Sequence, residues 1–217
     1  GEMTGGRIGR VNMKLEDNTF LMSGGTIDGN LVTGFGNDTI VLSDGYIGGN
    51  ISVSGGNDAV TITGGTVRGE IRLSFGNDRF DWSGGGVVHG LVDSGEGDDI
   101  ATLANLNVSH LGALPGFDGG LGTDRLNMDN VKTNGVARFT GWESMALAND
   151  SQLTFDGDLR LGDTGSGSGA LDVDATSTLF GGGINASVVG FNAALPVNVT
   201  NAGRIDLTNG GGGAGDA

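Results

Sequence analysis

One pattern of twenty residues occurs three times in succession between residues 24 and 83. The three copies read GGTIDGNLVTGFGNDTIVLS, DGYIGGNISVSGGNDAVTIT and GGTVRGEIRLSFGNDRFDWS. Glycines recur in register through the copies, and each copy carries a Gly-Asn-Asp triplet at the same place. A fixed period of this length is typical of a solenoid, in which each repeat forms one coil that stacks on the next.

Within each copy, apolar and polar residues alternate over short stretches. In the second copy, Ile51 and Val53 form one such pair, and Val60 and Ile62 form another. A period of two indicates β-strands, and glycine every few residues would cost about 1 kcal/mol each inside a helix. We therefore predict an all-β fold, a single-stranded right-handed parallel β-helix with coils of about 20 residues.

The regularity of the pattern changes along the chain. The fourth copy contains one extra residue, which the pattern places after Val87, and Pro115 lies in a stretch without period. We nevertheless expect one continuous β-helix fragment over 1–217. It divides into regular repeats over 4–103, an irregular loop over 104–118, further coils over 119–210 and a truncated glycine-rich end at 211–217.

The charge of the chain limits its partners. Arginine and lysine total 11 against 26 aspartates and glutamates, which gives a net charge of −15. This charge repels phosphate backbones and anionic membrane surfaces, so we predict no nucleic-acid partner. No apolar run approaches the roughly 20 residues that a membrane helix needs, so we also predict no membrane insertion by this segment.

The later part of the chain resembles a known family. Together with the glycine-rich coils, GWESMALANDSQLTF (141–155) and VTNAGRIDLTNGGGGAGDA (199–217) are similar to the passenger domain of bacterial autotransporters, which use type V secretion. The similar part is the C-terminal β-helical stem upstream of the autochaperone and the outer-membrane barrel. The resemblance implies an extracellular segment at the bacterial cell surface, anchored in the outer membrane through a barrel outside this fragment or secreted after cleavage.

The same resemblance implies a non-catalytic role. We expect a stem of the adhesin type, a rigid spacer for surface display that contacts an unidentified ligand on a host cell or on bacteria. Serine-protease passengers of this family carry a Gly-Asp-Ser-Gly nucleophile motif, and no stretch of this sequence matches it. We assign no catalytic residue and no cofactor. One alternative is a carbohydrate-active β-helix enzyme, because such enzymes use a pair of carboxylates in catalysis. This chain has many carboxylates, including Asp93, Asp99 and Asp118.

The Gly-Asn-Asp triplets are the candidate chemistry of the repeats. They also resemble part of the RTX nonapeptide repeat, in which turn carbonyls and an aspartate bind Ca²⁺. Stacked coils would bring Asp38, Asp58 and Asp78 about 5 Å apart, which makes these three the candidate calcium ligands. An RTX-like calcium-binding repeat adhesin is therefore the alternative function.

A structural role for the triplets competes with calcium binding. Asparagine tolerates the left-handed conformation of a corner, and aspartate hydrogen-bonds the amides of a turn. The period of twenty, unlike the nine-residue spacing of the calcium motif, favours this interpretation. We therefore assign no firm metal site, and we expect Asp58→Ala to have little effect on stability unless calcium binds.

Overall fold

A computed structural model describes residues 1–162, 168–181, 187–190 and 196–206. Short strands and turns alternate through these ranges, and neighbouring strands pair in parallel. The chain is an all-β solenoid with coils of about 21 residues, which confirms the fold class predicted from the period. Among the described residues, no helix has the length and apolar character needed to cross a membrane.

One long parallel sheet contributes a strand to each successive coil. In the regular coils its partner residues are one repeat apart, since Phe20 pairs with Ile40 and Ile40 with Val60. Its strands, in order, are Glu2–Ile8, Thr19–Ile27, Thr39–Ile47, Ala59–Ile62, Arg79–Ser83, Ile100–Ala104, Arg125–Asp129, Ser144–Ala148, Ala170–Val173 and Asn198–Asn201. Thr66–Val67 and Val87–Val88 extend the same sheet beside Thr39–Ile47.

Other sheets close the remaining sides of the coils. The second sheet contains Val11–Asn12, Leu31–Val32, Ile51–Ser52, Ile71–Arg72, Val92–Asp93, Phe117–Asp118 and Phe139–Thr140. The third contains Lys132–Asn134, Gln152–Phe155, Thr178–Gly181 and Arg204–Asp206, and Leu159–Leu161 pairs with Val188–Gly190. The described helices are one α-helical turn, Val108–Leu111, and one 3₁₀ turn, Val136–Arg138.

The core consists of columns in which like residues stack on one another. Leu31 pairs with Ile51, Ile51 with Ile71 and Ile71 with Val92, and all four side chains are buried. Each coil buries its inward face against the coils before and after it, because one coil alone cannot enclose its apolar side chains. The alternation in the sequence thus predicts which side chains form this core.

The extra residue of the fourth copy lies earlier than the pattern placed it. Val87 already pairs with Thr66, at a separation of 21 residues, whereas Trp82 still pairs with Ile62 at 20. The prediction of a shift after Val87 is therefore wrong, and the insertion falls at Gly84, where an added Cβ would meet nothing within 4 Å. The carbonyl of the nearby Gly85 accepts the indole N–H of the buried Trp82 at 2.7 Å, which satisfies that donor.

The segment 104–118 leaves the regular coil and then rejoins it. It contains the helical turn Val108–Leu111 and ends on the strand Phe117–Asp118, whose aromatic side chain is buried. Leu106, Leu111 and Leu114 are buried as well, so the segment packs on the core. The Arg138 guanidinium fixes it in place through hydrogen bonds to the carbonyls of Leu111 and Leu114. The predicted glycine-rich end at 211–217 lies outside the described residues.

Candidate functional site

Each regular coil turns at its Gly-Asn-Asp triplet, and the glycine allows the coils to approach closely there. Gly76 has φ +127°, and an added Cβ would lie only 1.7 Å from the carbonyl oxygen of Gly56 in the coil before. A residue with a side chain at this position would therefore have a strained backbone, and its Cβ would clash with backbone atoms of the preceding coil. This approach brings the polar side chains of each triplet within hydrogen-bonding distance of the backbone N–H groups of a neighbouring coil.

The aspartates of the triplets lie inside the corner. Asp38, Asp58 and Asp78 are at most 2% exposed, and Asp99 and Asp124 continue the same line in the next two coils with 1% and 0% exposure. We call these five residues the carboxyl column. Aspartate is rarely buried to this extent unless it has a hydrogen-bond partner or an ion-pair partner.

Each carboxyl of the column accepts a hydrogen bond from the backbone of the coil before it. The Asp38 N–H donates to Oδ1 of Asp58, and the Asp58 N–H donates to Oδ1 of Asp78, both at 2.7 Å. The Asn18 N–H donates to Oδ1 of Asp38 at 2.8 Å. The N–H groups of Asp78 and Asp99 donate to Oδ1 of Asp99 and Asp124, respectively, both at 2.7 Å. The Asp124 N–H donates to Oε2 of Glu143 at 2.6 Å. From the sequence we predicted that each aspartate accepts a hydrogen bond from an amide of a turn. In the structure, the N–H that donates this bond belongs to the preceding coil.

The second oxygen of each carboxyl has no hydrogen-bond partner among the described residues. These buried atoms are Oδ2 of Asp38, Asp58, Asp78, Asp99 and Asp124. Burial raises the pKa of Asp58 and of Asp99 to about 6, of Asp78 to about 7 and of Asp124 to about 8. The accepted backbone hydrogen bonds oppose this rise in pKa, while neighbouring carboxylates add to it.

The asparagines of the triplets form a second column in which the hydrogen bonds point the opposite way. The Asn57 N–H donates to Oδ1 of Asn37 at 2.7 Å, and the Asn77 N–H donates to Oδ1 of Asn57 at 2.9 Å. The side chain here accepts from the coil after it, because successive backbone N–H groups of a parallel strand face opposite neighbours. Asp17 begins this column by accepting from Asn37, so the first coil keeps the corner without the triplet sequence.

The structure places the three candidate calcium ligands in a single column. The Oδ1 atoms of Asp38, Asp58 and Asp78 are occupied by backbone N–H groups. In the described part of the chain, no three side chains of histidine, cysteine, aspartate or glutamate are grouped so that they could hold a metal ion. We therefore assign no metal ion to the carboxyl column.

A shallow groove of about 480 Å³ lies on the outside of the coils, near the segment 104–118. Phe75 and Leu121 border it with side chains that are more than half exposed. Its other lining residues are Ser74, Asp93, Gly95, Glu96, Asp118 and Gly120. The sequence pointed to Asp93 and Asp118 only as two carboxylates among many, and their pairing in adjacent strands brings them together. A sequence signal for the apolar border does exist. The residue before the triplet glycine is phenylalanine in two copies, Phe35 and Phe75, and both side chains are exposed.

Comparison of the chain with protein-family models, curated proteins and solved structures found no match.

Proposed function

We propose that this chain is a non-catalytic, extracellular stem of the autotransporter type, a rigid β-helical spacer that displays other parts of a bacterial surface protein. The observation that carries the proposal is the continuity of the long sheet. Strand pairing extends from Glu2–Ile8 to Asn198–Asn201 in one parallel order. One connected set of buried side chains extends along this stack. Stacked coils add length along one axis, which is the property that a spacer needs.

The proposal includes a location and partners. A C-terminal barrel beyond this segment anchors the stem in the outer membrane, and the stem contacts a ligand on a host cell or on neighbouring bacteria. The net charge of −15 supports a hydrated exterior that does not associate with anionic lipid. The resemblance of 141–155 and 199–217 to autotransporter passengers is the second support.

Surface display in a Gram-negative host tests this proposal. The full chain is fused between an export signal and an autotransporter barrel, with an epitope tag placed before Gly1. We expect antibody to bind the tag on intact cells and the displayed stem to resist added protease. A fusion with Ile51→Asp, which disrupts the buried core, is the control and should be degraded by the protease. A tag that remains inside the cells, with the wild-type stem folded there, would contradict the proposal.

The outer groove favours a second candidate function, the binding of a carbohydrate. Phe75 offers an exposed aromatic face, and the carboxylates of Asp93 and Asp118 can accept hydrogen bonds from sugar hydroxyls. Binding of oligosaccharides to the wild-type chain and to Phe75→Ala tests this function. Binding that is lost in the variant supports it, and the appearance of cleaved sugar would indicate an enzyme. Equal binding by both proteins would exclude the groove.

A further inference from the structure

The carboxyl column combines deep burial with an excess of one charge. Its members lie on successive coils, which are about 4.8 Å apart in a parallel stack. The groups that perturb Asp58, Asp78, Asp99 and Asp124 electrostatically are all acidic. They are Asp38, Asp58 and Asp99 of the column together with Asp93, Asp98 and Glu143.

The cations nearest in sequence do not neutralise this charge. Arg79 follows Asp78, and its guanidinium forms an ion pair with Asp81 on the outer face. Arg125 follows Asp124, and its Nε donates to the side chain of Asn127 at 2.8 Å. Both side chains are thus bonded within their own strands.

We propose that the carboxyl column is a proton-binding site, in which Asp58, Asp78, Asp99 and Asp124 take up protons from solvent as the coils stack. The inference depends on the buried, unpartnered Oδ2 atoms and on the stacking of like charges, and it does not depend on the proposed stem function. It makes the stability of the coil stack responsive to pH.

The geometry allows each carboxyl to be protonated without loss of its hydrogen bond to the preceding coil. A proton on Oδ2 removes the buried charge and leaves Oδ1 free to accept the N–H of the preceding coil. Two ionised carboxylates at this separation repel one another, so a proton on one of them also relieves its neighbours. Asp58, Asp78, Asp99 and Asp124 therefore titrate as a coupled set of groups.

The direction of the pH effect follows from the raised pKa values. The pKa of these carboxyls lies between about 6 and about 8 in the folded chain, above the ordinary value of 3.8. The folded state therefore binds protons more tightly than the unfolded state does. The resulting stabilisation is complete below about pH 4 and is lost as the pH rises through about 8.

A pH series of melting temperatures tests the proposal. The wild-type chain is compared with the triple variant Asp58→Asn, Asp78→Asn and Asp99→Asn, which keeps the acceptor oxygens and removes the titrating groups. The control triple variant changes three exposed acids, Glu2→Gln, Glu16→Gln and Asp172→Asn, and so removes the same charge from the surface. The series covers about pH 5 to about pH 9, where Asp58, Asp78, Asp99 and Asp124 titrate and carboxyls of ordinary pKa do not.

We expect the melting temperature of the wild-type chain and of the control to fall by several degrees across this range. The melting temperature of the triple variant should change less, and at the upper end of the range it should exceed that of the wild-type chain. Parallel pH profiles for all three proteins would overturn the proposal, as would a wild-type profile that is flat.

Proton uptake on refolding provides a second test that needs no variant. The unfolded wild-type chain is refolded in weak buffer at about pH 7, and the protons exchanged with solvent are measured directly. We expect a net uptake of more than about one proton per chain, because several raised pKa values lie near this pH. No uptake, or net release, would contradict the proposal even if the triple variant failed to fold.

Discussion

In the coils of residues 19–103 carboxyls accept the amides that precede the long sheet, whereas in the coils of residues 131–181 hydroxyls accept the amides that precede the third sheet. The Val131 N–H donates to Oγ of Ser151 at 3.0 Å, and the Ser151 N–H donates to Oγ of Ser177 at 3.2 Å. The hydroxyl of Ser151 also donates to the carbonyl of Ala148 at 2.7 Å, so this buried group is satisfied as donor and as acceptor. Both sets of buried amides are satisfied by a side chain of the next coil, which is a titratable group before the long sheet and a hydroxyl before the third sheet.

The cores of the two regions differ as well. In the regular coils core partners such as Ile51 and Ile71 are 20 residues apart, whereas later partners such as Ala101 and Leu126 are 25 residues apart. Aromatic rings fill the core where the period changes. The ring of Phe117 meets those of Phe80 and Trp142 edge to face, with centroids 5.4 and 5.0 Å apart. Coils of unequal length thus remain in one stack because large side chains fill the altered space.

The largest expected effect is one that the two regions share. Ile51 and Leu153 are both fully buried. Aspartate at either position would place an unpaired charge in the core, so we expect each variant to lose more than about 4 kcal/mol of unfolding free energy. Denaturant unfolding followed by circular dichroism measures this loss.

The matched control for the core variants is Ser52→Asp, in the same strand as Ile51 but on the outer face, where we expect little change. A chain that tolerates Leu153→Asp but not Ile51→Asp would show that the later coils do not depend on a common core.

A smaller effect should distinguish the two regions. Gly76→Ala forces a positive φ on alanine and brings its Cβ against the Gly56 carbonyl, which costs at least about 1–3 kcal/mol for the backbone conformation alone. Gly157→Ala in the later region meets only Ala137 at 3.9 Å and should be nearly neutral. Thermal melts of both variants test whether the corner at Gly76 requires glycine and the position of Gly157 does not, and equal losses would refute this.

The individual corner bonds should contribute less than the glycine. Asp78→Ala removes the acceptor of the Asp58 N–H, and Ser151→Ala removes that of Val131, so we expect each to cost about 1–3 kcal/mol. This differs from the expectation from sequence that an alanine in the carboxyl column has little effect. Asp78→Asn keeps an acceptor and is the control. Near pH 5, the unfolding free energy of Asp78→Asn should exceed that of Asp78→Ala. Equal unfolding free energies would show that the hydrogen bond to the Asp58 N–H does not stabilise the corner.

The smallest expected effect is that of calcium. Because each Oδ1 of the carboxyl column already accepts a backbone N–H, we expect thermal melts in EDTA and in millimolar Ca²⁺ to coincide. A magnesium series serves as the control for ionic strength. A melting temperature that rises with Ca²⁺ alone would favour the calcium-binding repeat adhesin over the stem.

Much of the fold could be predicted from the sequence because strands carry their own period. Alternation identified the inward side chains, such as Val60 and Ile62, and the glycines identified the corners. The burial of the aspartates could not be predicted, because a corner interrupts the alternation and a glycine allows the next side chain to point either way. The position of the extra residue was ambiguous because either Val87 or Val88 can align with Val67 in the sequence, and the structure pairs Val88 with it.

The most direct test of the carboxyl column is a titration of its carboxyl carbons by NMR. We predict that the resonances of Asp58, Asp78, Asp99 and Asp124 shift between about pH 6 and about pH 8. The carboxyls of the denatured chain serve as references, since the ordinary pKa of aspartate is about 3.9. If all the aspartates of the folded chain titrated together near this ordinary value, the column would be charged at neutral pH and the account would be wrong.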